Sequence, residues 1–348
     1  MCSLPTHSFD ESLERSYMKS VSNDKLRLLT KCLLILLPVL AVWGFAFFNP
    51  MYILDYDYAL WMQQKDYIEN QSDYNRLVIL GDSSAQFNID PENGWNDARI
   101  LAVGAMRMPA HYYSLVNYLE NHPAPECVVL SVTYDRFYGD YDEFLVKGVG
   151  YHYLNSKEKK EILETADQVG SRLLEDVTSY EMFRYYYRTP DLFALEILRN
   201  LMEGAGGRNK DIYRETFQRK GSYAYSAPEY ALTQITKSAE DCDIHIDPLM
   251  DSYLDRIVSL CGDNDIKLII VQAPMNKTSY DKLDQHWFEQ FDEMLASYDG
   301  RCIVEKEIPV YPDEYFYSSN HMNKKGVTVY TDDMMQKTEL QLQKRNDQ

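Results

Sequence analysis

The chain lacks the residue patterns on which metal chemistry and nucleic-acid binding depend. Its seven histidines and six cysteines show no spacing typical of metal ligands. Basic charge is also scarce, since 35 Lys and Arg stand against 54 Asp and Glu, giving a formal net charge of −19. Binding to nucleic-acid phosphates requires the opposite sign, so the composition argues against a nucleic-acid partner. We therefore expect an acidic protein without a metal or other cofactor.

One long segment near the N-terminus has no charged residue. It runs from Cys32 to Phe48, and with Leu28 and Leu29 it is long enough to cross a bilayer core of about 30 Å. Basic residues precede it, whereas the first one after it is Lys65. This bias predicts a single-pass cell-membrane protein with a cytoplasmic N-terminus and an extracytoplasmic main domain. A cleaved signal peptide, ending at the small-x-small sequence Gly44-Phe45-Ala46, is the alternative.

The remaining chain has room for one large α/β domain. We divide it into a cytoplasmic tail (1–27), a transmembrane helix (28–48), a linker (49–75) and a domain (76–348). Apolar runs predict strands, and helical periods separate them, which is typical of a parallel sheet with right-handed crossovers. The predicted strands are 77–80, 98–104, 127–133, 266–272 and 302–304, and the predicted helices between them are 110–121, 249–261 and 281–298.

A helical insertion interrupts this alternation at about residues 137–245. Helical periods cover 157–177 and 179–202, and the glycine-rich stretch 204–209 predicts a loop at the end of the second. We expect the insertion to fold over the carboxyl edge of the sheet, where it either shapes a substrate groove or serves only as a structural cap. Several of the 29 tyrosines lie in it, and such rings either stack on sugars and acyl chains or pack half-buried.

The first strand ends in a polar turn that carries the candidate nucleophile. Gly81, Asp82, Ser83 and Ser84 follow the apolar run 77–80 directly. Ligands of open α/β sheets bind at this edge, and backbone N–H groups at a helix start can face an anion there. Ser83 is therefore the candidate nucleophile. Alternatively, these residues only cap the next helix.

His321 is the candidate base. It lies on a loop that enters the last helix, and we expect this loop at the same sheet edge as Ser83. An imidazole there would take the proton of the serine hydroxyl and return it to a leaving group. A structural hydrogen-bonding role for this histidine is the alternative.

The chain carries three motifs in the order Gly81-Asp82-Ser83, Gly104 and His321-Met322-Asn323-x-x-Gly326. The order of these motifs resembles the SGNH, or GDSL-type, hydrolase superfamily. The resemblance covers about residues 76–135 and 246–345. It is closest to the membrane-anchored extracytoplasmic branch, which includes alginate acetylation proteins and the D-alanine transfer protein of teichoic-acid modification.

This resemblance implies a flavodoxin-like three-layer fold and ester chemistry through a serine acyl-enzyme. Carried over by position, Ser83 is the nucleophile and His321 the general base. The backbone N–H groups of Ser83 and Gly104 form the oxyanion hole.

Two positions depart from the family pattern. The family has an aspartate three residues before the histidine, where this chain has Ser318, and its asparagine after the third strand has no counterpart near Thr133. A serine hydroxyl orients an imidazole but does not stabilise imidazolium as a carboxylate does. Either Asp82 or Asp313 supports His321, or the pair acts as a dyad, or activity has been lost.

Two functions follow as hypotheses. The first is a membrane-anchored extracytoplasmic serine O-acyltransferase or acyl esterase that modifies a cell-envelope polysaccharide, with an acylated glycan or another acyl donor as substrate. The second is a catalytically impaired accessory protein that binds glycan or docks a membrane acyltransferase partner. Transferase and hydrolase share one acyl-enzyme, so the sequence does not separate them.

Overall fold

A computed structural model describes residues 8–138, 143–229, 246–282 and 285–346. The strands are β1 (Leu77–Leu80), β2 (Ala98–Ile100), β3 (Cys127–Val132), β4 (Lys267–Gln272), β5 (Met275–Asn276), β6 (Ile303–Glu305) and β7 (Val310–Tyr311). The helices are α1 (Ser8–Phe48), α2 (Pro50–Ile53), α3 (Tyr56–Asn70), α4 (Ser83–Asn88), α5 (Met108–Asn121), α6 (Ser156–Val169), α7 (Ser179–Tyr186), α8 (Pro190–Met202), α9 (Ala205–Gln218), α10 (Pro248–Asp263), α11 (Lys277–Tyr280), α12 (Gln285–Ala296) and α13 (Lys324–Asn346).

Five of the described strands form one parallel sheet in the order β2-β1-β3-β4-β6. β1 lies between β2 and β3, so that Leu77 pairs with Ala98 on one side and with Cys127 on the other. β5 and β7 form a separate pair beside it. The predicted α/β class with a parallel sheet is confirmed.

Both faces of the sheet are buried. In β1, Val78 and Leu80 pack into a core shared with α3, α5 and α10. The alternating residues Leu77 and Ile79 pack into a second core with Trp95 and α13. Helices on both faces explain why the strands appear in the sequence as unbroken apolar runs instead of alternating patterns.

The N-terminal helix is longer than the predicted transmembrane segment. α1 begins at Ser8, so position 28 is not a structural boundary. Residues 23–48 form the part that is long and apolar enough to cross a membrane. Most of its side chains are exposed, but Ala46 is fully buried against the rest of the protein.

The predicted linker 49–75 is part of the folded domain. α3 occupies most of it and buries Trp61 and Tyr67, each 2% exposed, in the larger core. These aromatic side chains lie among charged residues in the sequence, which concealed their burial. The expectation of a mere connector is therefore wrong.

The glycine-rich stretch 204–209 is also not the predicted loop. α9 begins at Ala205 and includes Gly206, which packs against α2. A Cβ on Gly206 would lie 2.1 Å from Cδ1 of Tyr52. Glycine is needed here because two helices pack closely together, and not because the chain turns.

The described part of the insertion packs beside the sheet more than over its carboxyl edge. α9 lies against α2 and α3, and α6 lies against α10. Within the described residues, the insertion approaches the Ser83 turn at Tyr223, whose backbone N–H donates to the carbonyl of Gln86. Residues 139–142 and 230–245, which include the predicted end of the insertion, lie outside the described residues.

Gly81 allows β1 to turn sharply into α4. Its φ is +152°, a value that L side chains rarely adopt. A Cβ there would lie 2.8 Å from the Cβ of Ala85 and 2.9 Å from the carbonyl oxygen of Ser131. The turn that presents Ser83 therefore requires glycine.

We expect Gly81→Ala to lower the free energy of unfolding by about 1–3 kcal/mol more than Gly94→Ala, because it adds overpacking to backbone strain. Gly94 also has a positive φ, +104°, but a Cβ there meets no atom within 4 Å. Urea unfolding of the detergent-solubilised full chain measures both. Equal losses would contradict the argument from close packing.

Candidate active site

Ser83 lies at the carboxyl edge of the sheet, beside the crevice between β1 and β3. Asp82 caps α4 by accepting a hydrogen bond from the N–H of Ser84 at 2.8 Å, and Ser83 is the first residue of the helix. In a sheet with this strand order, the chain leaves β1 and β3 toward opposite faces, which opens a crevice at their ends. The half-buried Ser83 side chain therefore stands where a ligand can enter.

His321 contacts Ser83 directly. Its Nε2 lies 2.9 Å from Ser83 Oγ, and its Nδ1 lies 3.0 Å from Ser318 Oγ. If Ser83 donates its proton to Nε2, then Nδ1 carries the ring proton and donates to Ser318. Ser318 Oγ has two lone pairs, and the second accepts from the backbone N–H of His321 at 3.1 Å. The hydroxyl of Ser318 thus holds the tautomer in which His321 accepts the proton of Ser83.

Two side chains of α4 hold the histidine loop in place. The amide of Asn88 donates to the carbonyl of Asn320 at 2.7 Å and accepts from the N–H of Met322 at 2.8 Å. The amide of Asn320 in turn donates to Ser84 Oγ at 3.1 Å. The backbone on both sides of His321 is therefore fixed to the helix that carries Ser83. The sequence analysis missed this role of Asn88, whose only signal was its place on the same short helix.

Asp82, which the sequence made a candidate, directs its hydrogen bonds to residues other than His321. It is 3% exposed and accepts from Thr133 at 2.6 Å and from Arg136 at 2.9 Å. Burial alone would raise the pKa of Asp82, but Arg136 and the hydrogen bonds from Thr133 and Ser84 hold it below its usual range. Asp82 acts as a helix cap and ion-pair partner.

Asp313, the other candidate, is also engaged elsewhere. It accepts from the amide of Asn276 at 2.8 Å and from the backbone N–H of Thr278 at 2.9 Å. Both candidate carboxylates are thus held away from the ring, and the hydroxyl of Ser318 occupies the position next to Nδ1. Within the described residues, the arrangement is a dyad supported by a serine.

His321 is neutral over a wider pH range than an exposed histidine. Burial lowers its pKa below the ordinary value of 6.5, Asp82 opposes this shift and Arg136 adds to it. A neutral imidazole is the form that accepts a proton. The lowered pKa therefore favours the unprotonated ring of His321 at neutral pH.

The predicted oxyanion hole is only partly open. The N–H of Ser83, at the first position of α4, has no hydrogen-bond partner among the described residues. The N–H of Gly104 instead donates to Oε1 of Gln86 at 3.2 Å. Gln86 lies one turn after Ser83 on α4, so its side chain reaches the same backbone. The sequence analysis missed this residue, and a reacting carbonyl must displace Gln86 or share the N–H of Gly104 with it.

A cavity of about 250 Å³ opens beside Ser83 and His321. Val132, Pro274 and Met275 give it an apolar part. Arg136 also lines it, but the guanidinium is shared among carboxylates: Nη1 lies 3.6 Å from Glu143 and Nη2 lies 3.9 Å from Asp135. The cavity therefore does not present an unneutralised cation to a ligand.

An aromatic wall lies on another side of His321, formed by Tyr56, Phe87, Tyr223 and Tyr317. Neighbouring ring centroids are 5.8 Å apart for Tyr317 and His321, 5.3 Å for Phe87 and His321, 4.9 Å for Phe87 and Tyr223, and 6.2 Å for Tyr223 and Tyr56. Tyr56 comes from the segment 49–75, which the sequence analysis assigned as a linker, and this residue is 41% exposed. Through this aromatic wall, the N-terminal end of α3 lies close to the Ser83–His321 pair.

We expect Asn88→Ala to lower the free energy of unfolding by about 1–3 kcal/mol, since it leaves the buried N–H of Met322 and the carbonyl of Asn320 unpaired. The Asn264→Ala variant is the matched control, because that amide is exposed and donates to the carbonyl of Leu260 one turn earlier. We expect the control to stay within about 0.5 kcal/mol of the unmodified chain. Urea unfolding measures both, and an unchanged Asn88→Ala protein would show that the loop is held by other contacts.

No protein-family model and no curated protein matches this chain. Among solved structures, one similar chain comes from Streptococcus pneumonia and is provisionally named a platelet activating factor. The two chains are 9% identical, and the match covers 77% of this chain and 86% of the other with a TM-score of 0.34. A likeness this weak supports no inference about fold or function.

Proposed function

We propose that this chain is a membrane-anchored extracytoplasmic serine O-acyltransferase or acyl esterase of the SGNH type that acts on a cell-envelope polysaccharide. The observation that carries the proposal is the 2.9 Å contact between Ser83 Oγ and His321 Nε2. The strand order β2-β1-β3-β4-β6 supports it, because this is the order of flavodoxin-like sheets.

The geometry supports a two-step acyl transfer. Ser83 Oγ attacks the carbonyl carbon of an ester while His321 Nε2 takes the hydroxyl proton, and the N–H of Ser83 stabilises the negative oxygen. The ester C–O bond then breaks, and His321 returns the proton to the departing alcohol. Water or a sugar hydroxyl then attacks the acyl-enzyme and gives its proton to His321. The bond between Ser83 Oγ and the acyl group breaks, and Ser83 takes that proton from His321 as the acid or the new ester leaves.

The surroundings of the pair support an acyl group and a sugar as the two parts of the substrate. The apolar part of the 250 Å³ cavity suits a small acyl chain. The aromatic wall suits a sugar ring, since tyrosine and phenylalanine offer flat apolar faces and the tyrosine hydroxyls remain available for hydrogen bonds. The ester would then lie between them at Ser83.

The anchor is proposed on the apolar helix and the charge bias beside it. Trp43 Nε1 donates to the carbonyl of Tyr187 at 2.7 Å, and Arg188 donates to the carbonyl of Phe47 at 3.0 Å. Cleavage after Ala46 would remove Trp43 and its hydrogen bond to Tyr187. It would also make Phe47, whose carbonyl accepts from the buried Arg188, the first residue of the chain. These contacts favour a retained transmembrane helix over a cleaved signal peptide. We propose that the acyl group comes from a membrane acyltransferase partner or from an acylated glycan.

One second function is favoured by specific observations. Ser318 stands where a triad carboxylate would be, and the N–H of Gly104 is held by Gln86. Both features weaken catalysis while leaving the crevice and its aromatic wall in place. A catalytically impaired accessory protein that binds glycan or a membrane acyltransferase is the alternative.

We expect a fluorophosphonate probe to label the detergent-solubilised full chain and Ser83→Ala to abolish the label. A nucleophilic serine beside a neutral imidazole reacts with such probes, whereas other hydroxyls do not. The Ser226→Ala control, at an exposed hydroxyl that donates to Tyr223, should label like the unmodified chain. Acetyl release from envelope polymers, with and without Ser83, then tests the reaction itself. Absence of any Ser83-dependent label would leave the accessory function.

We expect the labelling rate of the unmodified chain to fall only in a pH range below 6.5. Burial lowers the pKa of His321, so the ring becomes protonated, and the rate is lost, only in this more acidic range.

Ser318→Asp should move this loss of rate to higher pH, because a carboxylate at Nδ1 stabilises imidazolium. The same variant should raise the labelling rate by up to about 10⁴. Ser318→Ala, which removes the hydroxyl without adding charge, should lower the rate. A Ser318→Asp protein with an unchanged pH profile would contradict the role given to His321.

A further inference from the structure

Two helices of the insertion expose an unusual number of large apolar side chains. On α8, Leu195 is 84% exposed, Leu198 56% and Met202 74%. Their spacing of three and four residues places them on one face of the helix. On α7, Tyr180 and Phe183 are exposed as well. Contiguous apolar surface of this kind marks a site of contact with a membrane or another protein.

The same two helices adjoin the end of α1. Trp43 Nε1 donates to the carbonyl of Tyr187, the residue that ends α7, and the ring of Phe47 stacks on that of Tyr187 with centroids 5.8 Å apart. The buried Arg188 joins α1 to the start of the α7–α8 connection by donating to the carbonyls of Phe47 and Gly150. These contacts fix the position of α7 and α8 along the axis of α1.

The part of α1 that contacts α7 and Arg188 belongs to its apolar segment. Its apolar segment ends at Phe48, and Trp43 precedes this end by five residues, or about 7–8 Å along a helix axis. The carbonyl of Tyr187, bonded to Trp43, therefore lies below the outer end of the segment that crosses the bilayer. At this depth the surroundings of α7 and α8 are headgroups and the first part of the acyl chains.

The charges on these helices are compatible with that position. Arg184 forms ion pairs with Glu181 at 2.9 Å and with Asp191 at 2.5 Å. Arg184 offsets the charge of one of these two carboxylates. Asp191 lies four residues before Leu195, at the N-terminal end of the same face of α8. A single ion-paired carboxylate at the end of an apolar face is compatible with the headgroup region.

We propose that α7 and α8 lie in the outer headgroup region of the bilayer, with Leu195, Leu198 and Met202 inserted among the acyl chains. The occupant of this apolar face is therefore lipid. The inference rests on α1 spanning the membrane, as proposed above, and it adds a second attachment that holds the domain in one orientation. It does not depend on the chemistry at Ser83.

Photolabelling of the full chain in nanodiscs tests this placement. The discs contain phosphatidylglycerol and phosphatidylcholine, with a diazirine on the acyl chain close to the glycerol, and mass spectrometry maps the labelled peptides. We expect adducts on α1, α7 and α8, and none on α13 around Leu340, which is 55% exposed but lies far from α1 in the sequence and packs on the other face of the sheet.

Each result has a distinct meaning. Adducts on α1 without adducts on α7 and α8 would overturn the placement while keeping the anchor, and would assign the apolar face to a protein partner. Absence of adducts on α1 would overturn both the anchor and the placement. Fluorophosphonate labelling of Ser83 in the same discs reports separately on the proposed chemistry.

A charge variant provides a second test of the placement. Leu195→Glu, Leu198→Glu and Met202→Glu together place three carboxylates on an already exposed face, so we expect the unfolding temperature in detergent to stay unchanged and lipid adducts on α8 to fall at least fivefold. Leu340→Glu is the matched control and should leave adducts on α8 unchanged. Undiminished labelling of α8 in the triple variant would overturn the proposal.

Discussion

The amide of Asn88 is the contact on which the candidate site depends. Ser83 and His321 are separated by most of the domain in sequence, and a single hydrogen bond joins their side chains. Asn88 bonds the backbone on both sides of His321 to the helix that begins with Ser83. Because one short helix carries both Ser83 and Asn88, the serine and the imidazole are positioned by the same element, as a directional hydrogen bond between them requires.

The charges around the pair are arranged to keep it neutral. Asp82 is adjacent to Ser83 in sequence, yet its carboxylate is directed to Arg136 and Thr133. The imidazole instead contacts the hydroxyl of Ser318, and burial lowers its pKa. Among the described residues, Asp82 and Asp313 both bond elsewhere. In the proposed reaction the imidazolium would therefore form without a carboxylate at Nδ1, which favours either a slow enzyme or the accessory function.

The sequence predicted the sheet and the Ser83–His321 pair, because both follow from local patterns. Buried parallel strands appear as apolar runs, and their carboxyl ends must share an edge, so a serine after β1 and a late histidine loop converge there. Contacts made through backbone atoms or close packing were not predictable. Gln86 accepts from the backbone N–H of Gly104, a contact that no sequence pattern indicates. Gly206 lies in a glycine-rich stretch typical of a loop, but in the structure it packs against the ring of Tyr52. The buried face of α3 was hidden because its aromatic residues alternate with charges.

The short passage from α1 to α3 sets the distance over which the site can work. Only residues 49–55 separate Phe48 from Tyr56, four of them are helical in α2, and Tyr56 already belongs to the aromatic wall beside His321. With α1 spanning the membrane as proposed, a site tied this closely to it stays within a few nanometres of the bilayer surface. Under the proposed function, its reach would be limited to the layer of polymer nearest the bilayer.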